Sequence, residues 1–260
     1  MTFIQIYFQA LLVFLLLMFA LWLISIYFKN TSIVDFFWGL GFVVICAFYF
    51  VKTVGFGPRK FLLMFLVATW GIRLSSYLIW RSIRQGEDLH IQNLKKKIEG
   101  NRLKWILFLK TCIIYGILMW LISAPLLGAQ FSDSDYSFNI LDLIGFMLWI
   151  AGMIFETVAD IQMARFKTER KDKNRLMDRG LWKYCRHPNY FGDAMVWWGY
   201  GFLCLAAGSD FPVLGSVLMT FMIVKVSGVA MLEKNLKETK LGYADYMSRT
   251  NAFFPWFPKK

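Results

Sequence analysis

The 260-residue chain is too apolar to be an ordinary soluble domain, because 58% of its residues are hydrophobic and 18% are aromatic. Lys and Arg outnumber Asp and Glu by 29 to 17, and the cations cluster in loops between apolar runs, which favours contact with anionic membrane lipids over nucleic acid. With four scattered cysteines and two histidines, the composition predicts neither a disulfide framework nor a metal site.

Seven apolar runs are long enough to cross a bilayer, which needs about 20 residues each. The predicted fold is therefore all-α, a polytopic membrane protein in a single domain over 1–260, with a cofactor-binding C-terminal half in 139–260 and four helices in 1–138. The first helix is expected to be retained, because it lacks the basic start and cleavage site of a signal peptide. The seven predicted spans are roughly 7–28, 36–54, 60–80, 104–127, 139–163, 192–208 and 211–230.

The distribution of Lys and Arg between the loops predicts the orientation. The segment 81–104 carries seven of them and 164–188 carries nine, whereas 128–138 and 209–212 carry none. The positive-inside rule then places the basic segments and the C-terminus in the cytoplasm and the N-terminus outside. If the protein is bacterial, the expected membrane is the inner membrane. Three cations fall on the predicted outer side, against this rule: Lys52, Arg59 and Lys60.

Charged residues inside the apolar runs are candidate functional groups, because burying them in a membrane is costly. Asp35 begins the second run, where an acid facing the helix dipole is an equally good structural explanation. Arg73 lies two to three turns inside the third run, too deep to reach the headgroups comfortably. Glu156 and Asp160 are one turn apart on the fifth run, where they could bind ribose hydroxyls or an amide, or pair with Arg73.

The stretch 179–200 joins a basic loop to the sixth run. Pro188 suits the first turn of a helix, and Asn189, Asp193 and Trp197 follow at intervals of four residues. Residues at this spacing share a helix face. The sequence therefore predicts one polar stripe that begins at the membrane boundary.

Basic residues immediately before that helix predict an anion site. Arg186 and His187 lie beside its N-terminus, where the dipole and the N–H groups favour a phosphate or carboxylate. A basic collar with an aromatic belt is the plainer interpretation, but it does not explain Asp193 one turn into an apolar segment.

The C-terminal tail, residues 232–258, is amphipathic and rich in aromatic residues. One interpretation is an interfacial helix followed by a proline-terminated membrane anchor. The other is a cap that closes over a cofactor bound by 179–200.

Together these segments resemble the steroid 5α-reductase-like group of membrane enzymes, most closely its DUF1295 branch. The resemblance covers nearly the whole chain. The Arg-His-Pro-x-Tyr motif alone is also present in the isoprenylcysteine carboxyl methyltransferases. The resemblance depends on Gly180–Tyr190, Gly192-Asp193, Trp197-Trp198-Gly199, Ser32–Asp35, Trp38-Gly39, residues 84–88, Leu232-Glu233 and residues 246–255.

The resemblance implies a seven-helix oxidoreductase that holds NADPH in a cytoplasm-facing cavity and reduces an activated carbon–carbon double bond. Its partners would be a lipid-soluble substrate, steroid-like or isoprenoid, and the membrane lipids. The implied catalytic candidates are Arg73, Tyr77 and Asp35, and no metal ligand is implied. The implied cofactor-binding residues are Glu156, Asp160, Arg165, Lys167, Arg179, Arg186, His187, Asn189, Tyr190, Asp193, Trp197, Glu233 and Tyr246.

Three positions depart from the reductase pattern. Trp70 stands where the reductases polarise the enone carbonyl with a tyrosine, and an indole N–H donates a hydrogen bond but cannot release a proton as a phenol does. The Gln-Glu pair of their second span has no clear match, Asp35 being the nearest acid. Their cofactor-binding histidine of the tail falls near Asn235.

Two alternatives stay open from the sequence. An AdoMet-dependent methyltransferase of a lipidic substrate would use S-adenosylmethionine and would need no phosphate site. A cofactor-free lipid-binding or scaffold protein would need neither NADPH nor S-adenosylmethionine. In the methyltransferase, the methionine part would be held by Arg186, His187, Tyr190 and Glu233.

Overall fold

The computed structural model describes residues 1–28, 30, 32–55, 57–85, 101–131, 137–169, 175–226, 229–240 and 242–259. Within these residues the regular secondary structure is entirely helical. The predicted all-α fold is thereby confirmed. Three parts of the sequence interpretation lie outside the described residues, namely residues 86–88, Arg170 and the side chain of Asn235.

Long apolar helices dominate the N-terminal part, and shorter ones follow the last long helix in the C-terminal part. Asp35 lies in the first turn of its helix and Pro188 begins another, both as predicted. The first helices are α1 (Phe3–Tyr27), α2 (Ser32–Lys52), α3 (Pro58–Gln85), α4 (Asn101–Phe108), a π-helix (Leu109–Tyr115), α5 (Gly116–Ile122) and α6 (Ala124–Gly128). After them come α7 (Ile140–Glu169), α8 (Leu181–Tyr184), α9 (Pro188–Ala206), a 3-10 turn (Phe211–Val213), α10 (Leu214–Phe221), a π-helix (Met222–Val226), α11 (Val229–Thr239) and α12 (Tyr243–Arg249).

Among the described residues, five helical stretches are long and apolar enough to cross a membrane. They correspond to the first five predicted spans, and the chain is a polytopic membrane protein. The sixth and seventh predicted spans are also helical, but α9 is not among these five stretches, and the apolar stretch Phe211–Val226 is shorter than they are. The count of seven therefore stays a prediction for these two.

The fourth span is not one continuous α-helix. A π-helical segment, Leu109–Tyr115, separates α4 from α5, and the α-helix is interrupted again at Ser123. Pro125 lies at the start of α6, where its missing N–H does no harm but where it could not have continued α5. The length of the apolar run alone does not reveal either interruption of the α-helix.

The chain divides into two compact units, Met1–Asn139 with Cys204–Gly215, and Ile140–Leu203 with Ser216–Lys260. In the first unit, α2 and α3 pack through glycines. A Cβ atom on Gly39 would lie 2.4 Å from the carbonyl oxygen of Gly71, so only glycine allows this approach. Trp70 is fully buried beside Phe42 in the core of this unit, with the ring centroids 6.1 Å apart.

In the second unit, α7 and α9 pack through two glycine pairs. A Cβ on Gly145 would lie 2.8 Å from the oxygen of Gly199, and one on Gly152 would lie 2.6 Å from the oxygen of Gly192. Such backbone contact is typical of membrane helices with small residues at their interface. It brings the C-terminal half of α7, with Glu156, directly against the first turns of α9.

Candidate functional site

A tight turn fixes the short helix α8 against α7. Gly180 has a φ of +59°, and a Cβ there would lie 2.6 Å from the amide of Gln162. The same amide accepts a hydrogen bond from the Leu181 N–H at 3.0 Å. One turn back on α7, the Ala159 carbonyl accepts from the Trp182 indole at 3.2 Å. The segment leading into α9 is therefore held by two hydrogen bonds to α7.

Two predicted site residues of α7 meet the first turn of α9. Glu156 and Asp160 are 3% and 5% exposed, and the Asn189 side-chain amide donates to the Asp160 carboxylate across 3.4 Å. The Asn189 Oδ1 atom is buried and accepts no hydrogen bond from the described residues. Buried carbonyl oxygens normally have a donor, so this atom is an acceptor suited to a ligand N–H group.

The rest of the predicted stripe follows along α9. Asp193 is half-buried one turn after Asn189, and Trp197 is fully buried a further turn on. The Trp197 ring packs edge-to-face on Tyr200 at 5.4 Å, and Ser216 donates to its backbone carbonyl at 2.6 Å. Trp197 thus contributes to the core of this unit. Its role in binding a cofactor stays a prediction.

Arg186 holds the tail and α11 together through its own side chain. Its Nε and Nη2 atoms lie 2.7 and 2.6 Å from Glu233 Oε1, and His187 Nε2 lies 3.3 Å from the same oxygen. Its Nη1 atom donates to the carbonyls of Met247 and Thr250. We call these contacts the Arg186 clasp. An anion-binding role for Arg186 stays a prediction, because a ligand would have to replace one of these partners.

The clasp also sets the ionisation of Glu233. Burial alone raises the pKa of this carboxyl group, but the contacts with His187 and Arg186 outweigh it and hold the pKa below its usual range. Beside it, burial raises the pKa of Tyr243 to about 12, so the phenol is neutral at physiological pH. Tyr243 was not among the predicted site residues. Its spacing of three from Tyr246 in the tail was the signal that could have identified it.

The tail is also tied to the segment 182–185. The Tyr246 hydroxyl donates to the Trp182 carbonyl, and the backbone N–H of Trp256 donates to the Tyr184 carbonyl at 2.9 Å. The Cys185 thiol is buried 2.9 Å from the Phe253 carbonyl, and burial raises its pKa to about 12. A protonated, buried thiol of this kind is not a nucleophile.

The predicted phosphate-binding cations lie at two places in this unit. Arg165 and Lys167 belong to the last turns of α7, Arg165 exposed and Lys167 half-buried. Arg179 lies exposed at the turn before α8 and lines a cavity with Tyr246. Tyr190 follows Asn189 on α9, with its ring stacked 5.8 Å from His187.

The three predicted catalytic residues belong to the first unit. Arg73 and Tyr77 are half-buried one turn apart on α3, where the Tyr77 ring stacks on Trp80 at 6.1 Å. Asp35 is exposed at the start of α2. Trp70 lies in the core. Its indole has no hydroxyl group, so it cannot replace the tyrosine that the resemblance implies at this position.

A family model described as "Protein of unknown function (DUF1295)" matches residues 21–250. The chain belongs to the DUF1295 family. The resemblance drawn from the sequence is thereby confirmed. Among the described residues of this DUF1295 protein, no three His, Cys, Asp or Glu side chains are grouped to hold a metal ion.

The relatives of this DUF1295 protein include a fungal protein and two mammalian enzymes. It is 25% identical over 266 residues to "Uncharacterized protein C594.04c" of Schizosaccharomyces pombe, covering 91% of this chain and 76% of that protein. It is 32% identical over 88 residues to 3-oxo-5-alpha-steroid 4-dehydrogenase 1 of Macaca fascicularis, covering 34% of this chain and 31% of the enzyme. The human enzyme of that name is 31% identical, with 34% and 32% covered. No solved structure matches the chain.

Proposed function

We propose that this protein is a membrane-embedded reductase that uses NADPH to reduce a carbon–carbon double bond in a steroid-like or isoprenoid lipid. Its similarity to the two 3-oxo-5-alpha-steroid 4-dehydrogenases supports the reaction class. The observation that carries the proposal is the buried Asp160–Asn189 contact with the open acceptor of Asn189. NADPH would supply the hydride.

The chain's own residues would bind and orient the cofactor. Asp160 fixes the side-chain amide of Asn189, which leaves the Asn189 oxygen to accept from the carboxamide N–H group of a nicotinamide. Glu156, buried one turn before Asp160, would accept hydrogen bonds from the hydroxyl groups of a ribose. Arg165, Lys167 and Arg179 would contact the phosphates through charge-assisted hydrogen bonds.

The candidates for the substrate side of the reaction come from the sequence and stay predictions. Arg73 or Tyr77 would donate a hydrogen bond to the substrate carbonyl, where negative charge develops as hydride adds to the double bond. With the indole of Trp70 buried in the core, we do not assign it this role. A lipid-soluble substrate would reach these residues from the membrane.

The purified protein is expected to bind NADPH at least about tenfold more tightly than NADH. The reason is that the 2′-phosphate adds charge-assisted contacts to cations of the basic segment, namely Arg165, Lys167, Arg170 and Arg179. Calorimetry in detergent measures both affinities. S-adenosylmethionine serves as the control ligand and should give no saturable binding. If it binds and raises the melting temperature while NADPH does neither, the methyltransferase replaces the reductase.

The basic segments are proposed to face the cytoplasm. Two cations on the predicted outer side are bound by backbone oxygens. Arg59 donates to the Ser137 carbonyl at 3.1 Å, and Lys60 donates to the carbonyls of Thr53 and Gly55. Arg59 therefore lies at the same end of the first unit as Ser137. An impermeant thiol reagent added to intact cells should label Ser137→Cys and not Arg175→Cys. The unmodified chain is the blank, and the reverse labelling would invert the topology.

A further inference from the structure

A basic cavity of about 320 Å³ opens between the turn before α8 and the end of the chain. Three cations line it, Arg179, Lys183 and Arg249, together with one carboxylate, Asp178. Arg249 also contacts the carboxylates of Asp178 at 3.9 Å and Asp245 at 3.1 Å. The lining therefore keeps an excess of positive charge and suits an anion. Glu156, Asp160 and Asn189 are not part of it.

Exposed aromatic rings lie directly beside this cavity. Phe254, Trp256 and Phe257 are 70%, 68% and 75% exposed, and the next residue, Pro258, lines the cavity. The backbone of Trp256 is hydrogen-bonded to Tyr184, and Phe257 packs on the Tyr184 ring at 6.0 Å. The rings are therefore held at a defined place, with most of their apolar surface uncovered.

Contacts with α9 give the depth of these rings relative to the membrane. Phe191, in the first turn of α9, packs on Phe253 at 5.7 Å and on Phe254 at 6.0 Å. The 19 residues of α9 extend about 28 Å, close to the thickness of a hydrocarbon core of about 30 Å. With α9 taken as the predicted sixth span, its start would lie at the level of the headgroups, where aromatic side chains concentrate.

We propose that this cavity binds the phosphate of an anionic membrane lipid, whose acyl chains pass along Phe254, Trp256 and Phe257. A lipid satisfies both features at once, because it brings an anion to Lys183 and Arg249 and apolar chains to the exposed rings. A soluble phosphate would leave the rings uncovered. The proposal does not depend on the reductase function, because it assigns the lipid phosphate to Lys183 and Arg249 and not to Arg179, the lining cation proposed for the cofactor.

The test uses the full-length protein in nanodiscs of phosphatidylcholine, with or without phosphatidylglycerol. Phosphatidylglycerol is expected to raise the melting temperature of the unmodified protein by about 2–4 °C for each cation that it contacts. Lys183→Ala with Arg249→Ala should lose this increment. The matched control, Arg175→Ala with Lys237→Ala, removes the same charge at two exposed positions outside the cavity and should keep it.

Because the increment compares two lipids for the same variant, lower stability of a variant does not obscure it. The proposal is overturned if the unmodified protein shows no increment, if the Lys183 and Arg249 double variant keeps it, or if the control loses it equally. Inorganic phosphate added to phosphatidylcholine nanodiscs should not reproduce this increase in melting temperature. A full increase with phosphate would show that the cavity binds a soluble anion and not a lipid. NADPH affinity of the double variant should be unchanged, and its selective loss would assign the cavity to the cofactor.

Discussion

Replacing Arg186 by alanine is expected to lower the free energy of unfolding by about 3–5 kcal/mol, the usual cost of removing one partner of a buried ion pair. The Arg186 side chain is only 7% exposed and reaches Glu233 and two carbonyl groups of the tail. Its loss leaves the Glu233 carboxylate without its principal partner and releases the tail from α11. In a chain of this size the melting temperature should fall by about 6–20 °C in detergent.

Two variants control this result. Arg175→Ala removes a cation that is exposed on the same unit, and its effect should stay within about 0.5 kcal/mol. Arg186→Met combined with Glu233→Leu removes both charges, so neither is left buried alone, and this double variant should recover part of the loss. Arg186→Ala protein that melts at the temperature of the unmodified chain would show that the clasp contributes nothing.

The contribution of the clasp should depend on pH. The pKa of Glu233 is lowered in the folded chain, since the contacts with His187 and Arg186 outweigh the effect of burial. The stabilisation is therefore fully present above the unfolded-state pKa of about 4.3 and is lost as the pH falls through the lower folded value. Glu233→Gln should lack this part of the acid sensitivity in melting curves.

Replacing Asn189 by alanine is expected to weaken NADPH binding by about 1–3 kcal/mol, or roughly 5–150-fold. The change removes the proposed acceptor for the nicotinamide and leaves the Asp160 carboxylate without the amide 3.4 Å away. Asp193→Ala, one turn further along α9, should act in the same direction with an effect of similar size. Calorimetric titration of each variant in detergent measures the loss directly.

The control for this second result is Asn139→Ala. Asn139 is also a side-chain amide that donates a hydrogen bond, in its case to the backbone carbonyl of Ala206 at 3.1 Å, but it belongs to the first unit. Its replacement should leave NADPH affinity unchanged. Melting curves of all three variants separate a lost contact from a lost fold. Unchanged affinity in folded Asn189→Ala protein would remove Asn189 from the cofactor site.

Several features of this protein could be predicted from the sequence because they depend on residues close together in it. The lengths of the apolar runs predicted the five long helices, and Pro188 predicted the start of α9. The motifs of 180–199 and the tail identified the DUF1295 family. The fourth span was predicted by its apolar length, but its π-helical segment was not, since such a segment changes the backbone without changing its apolar character.

The partners of the polar residues were decided only by the tertiary structure. The sequence placed Arg186 at a helix N-terminus and predicted an anion ligand, whereas the fold gives its guanidinium a carboxylate 47 residues away and carbonyls 61 and 64 residues away. Asp160 and Asn189, 29 residues apart, meet because glycines let α7 and α9 approach. A local pattern specifies which face of a helix is polar, but the partner of that face depends on how close the backbones can pack, which is a property of both helices together.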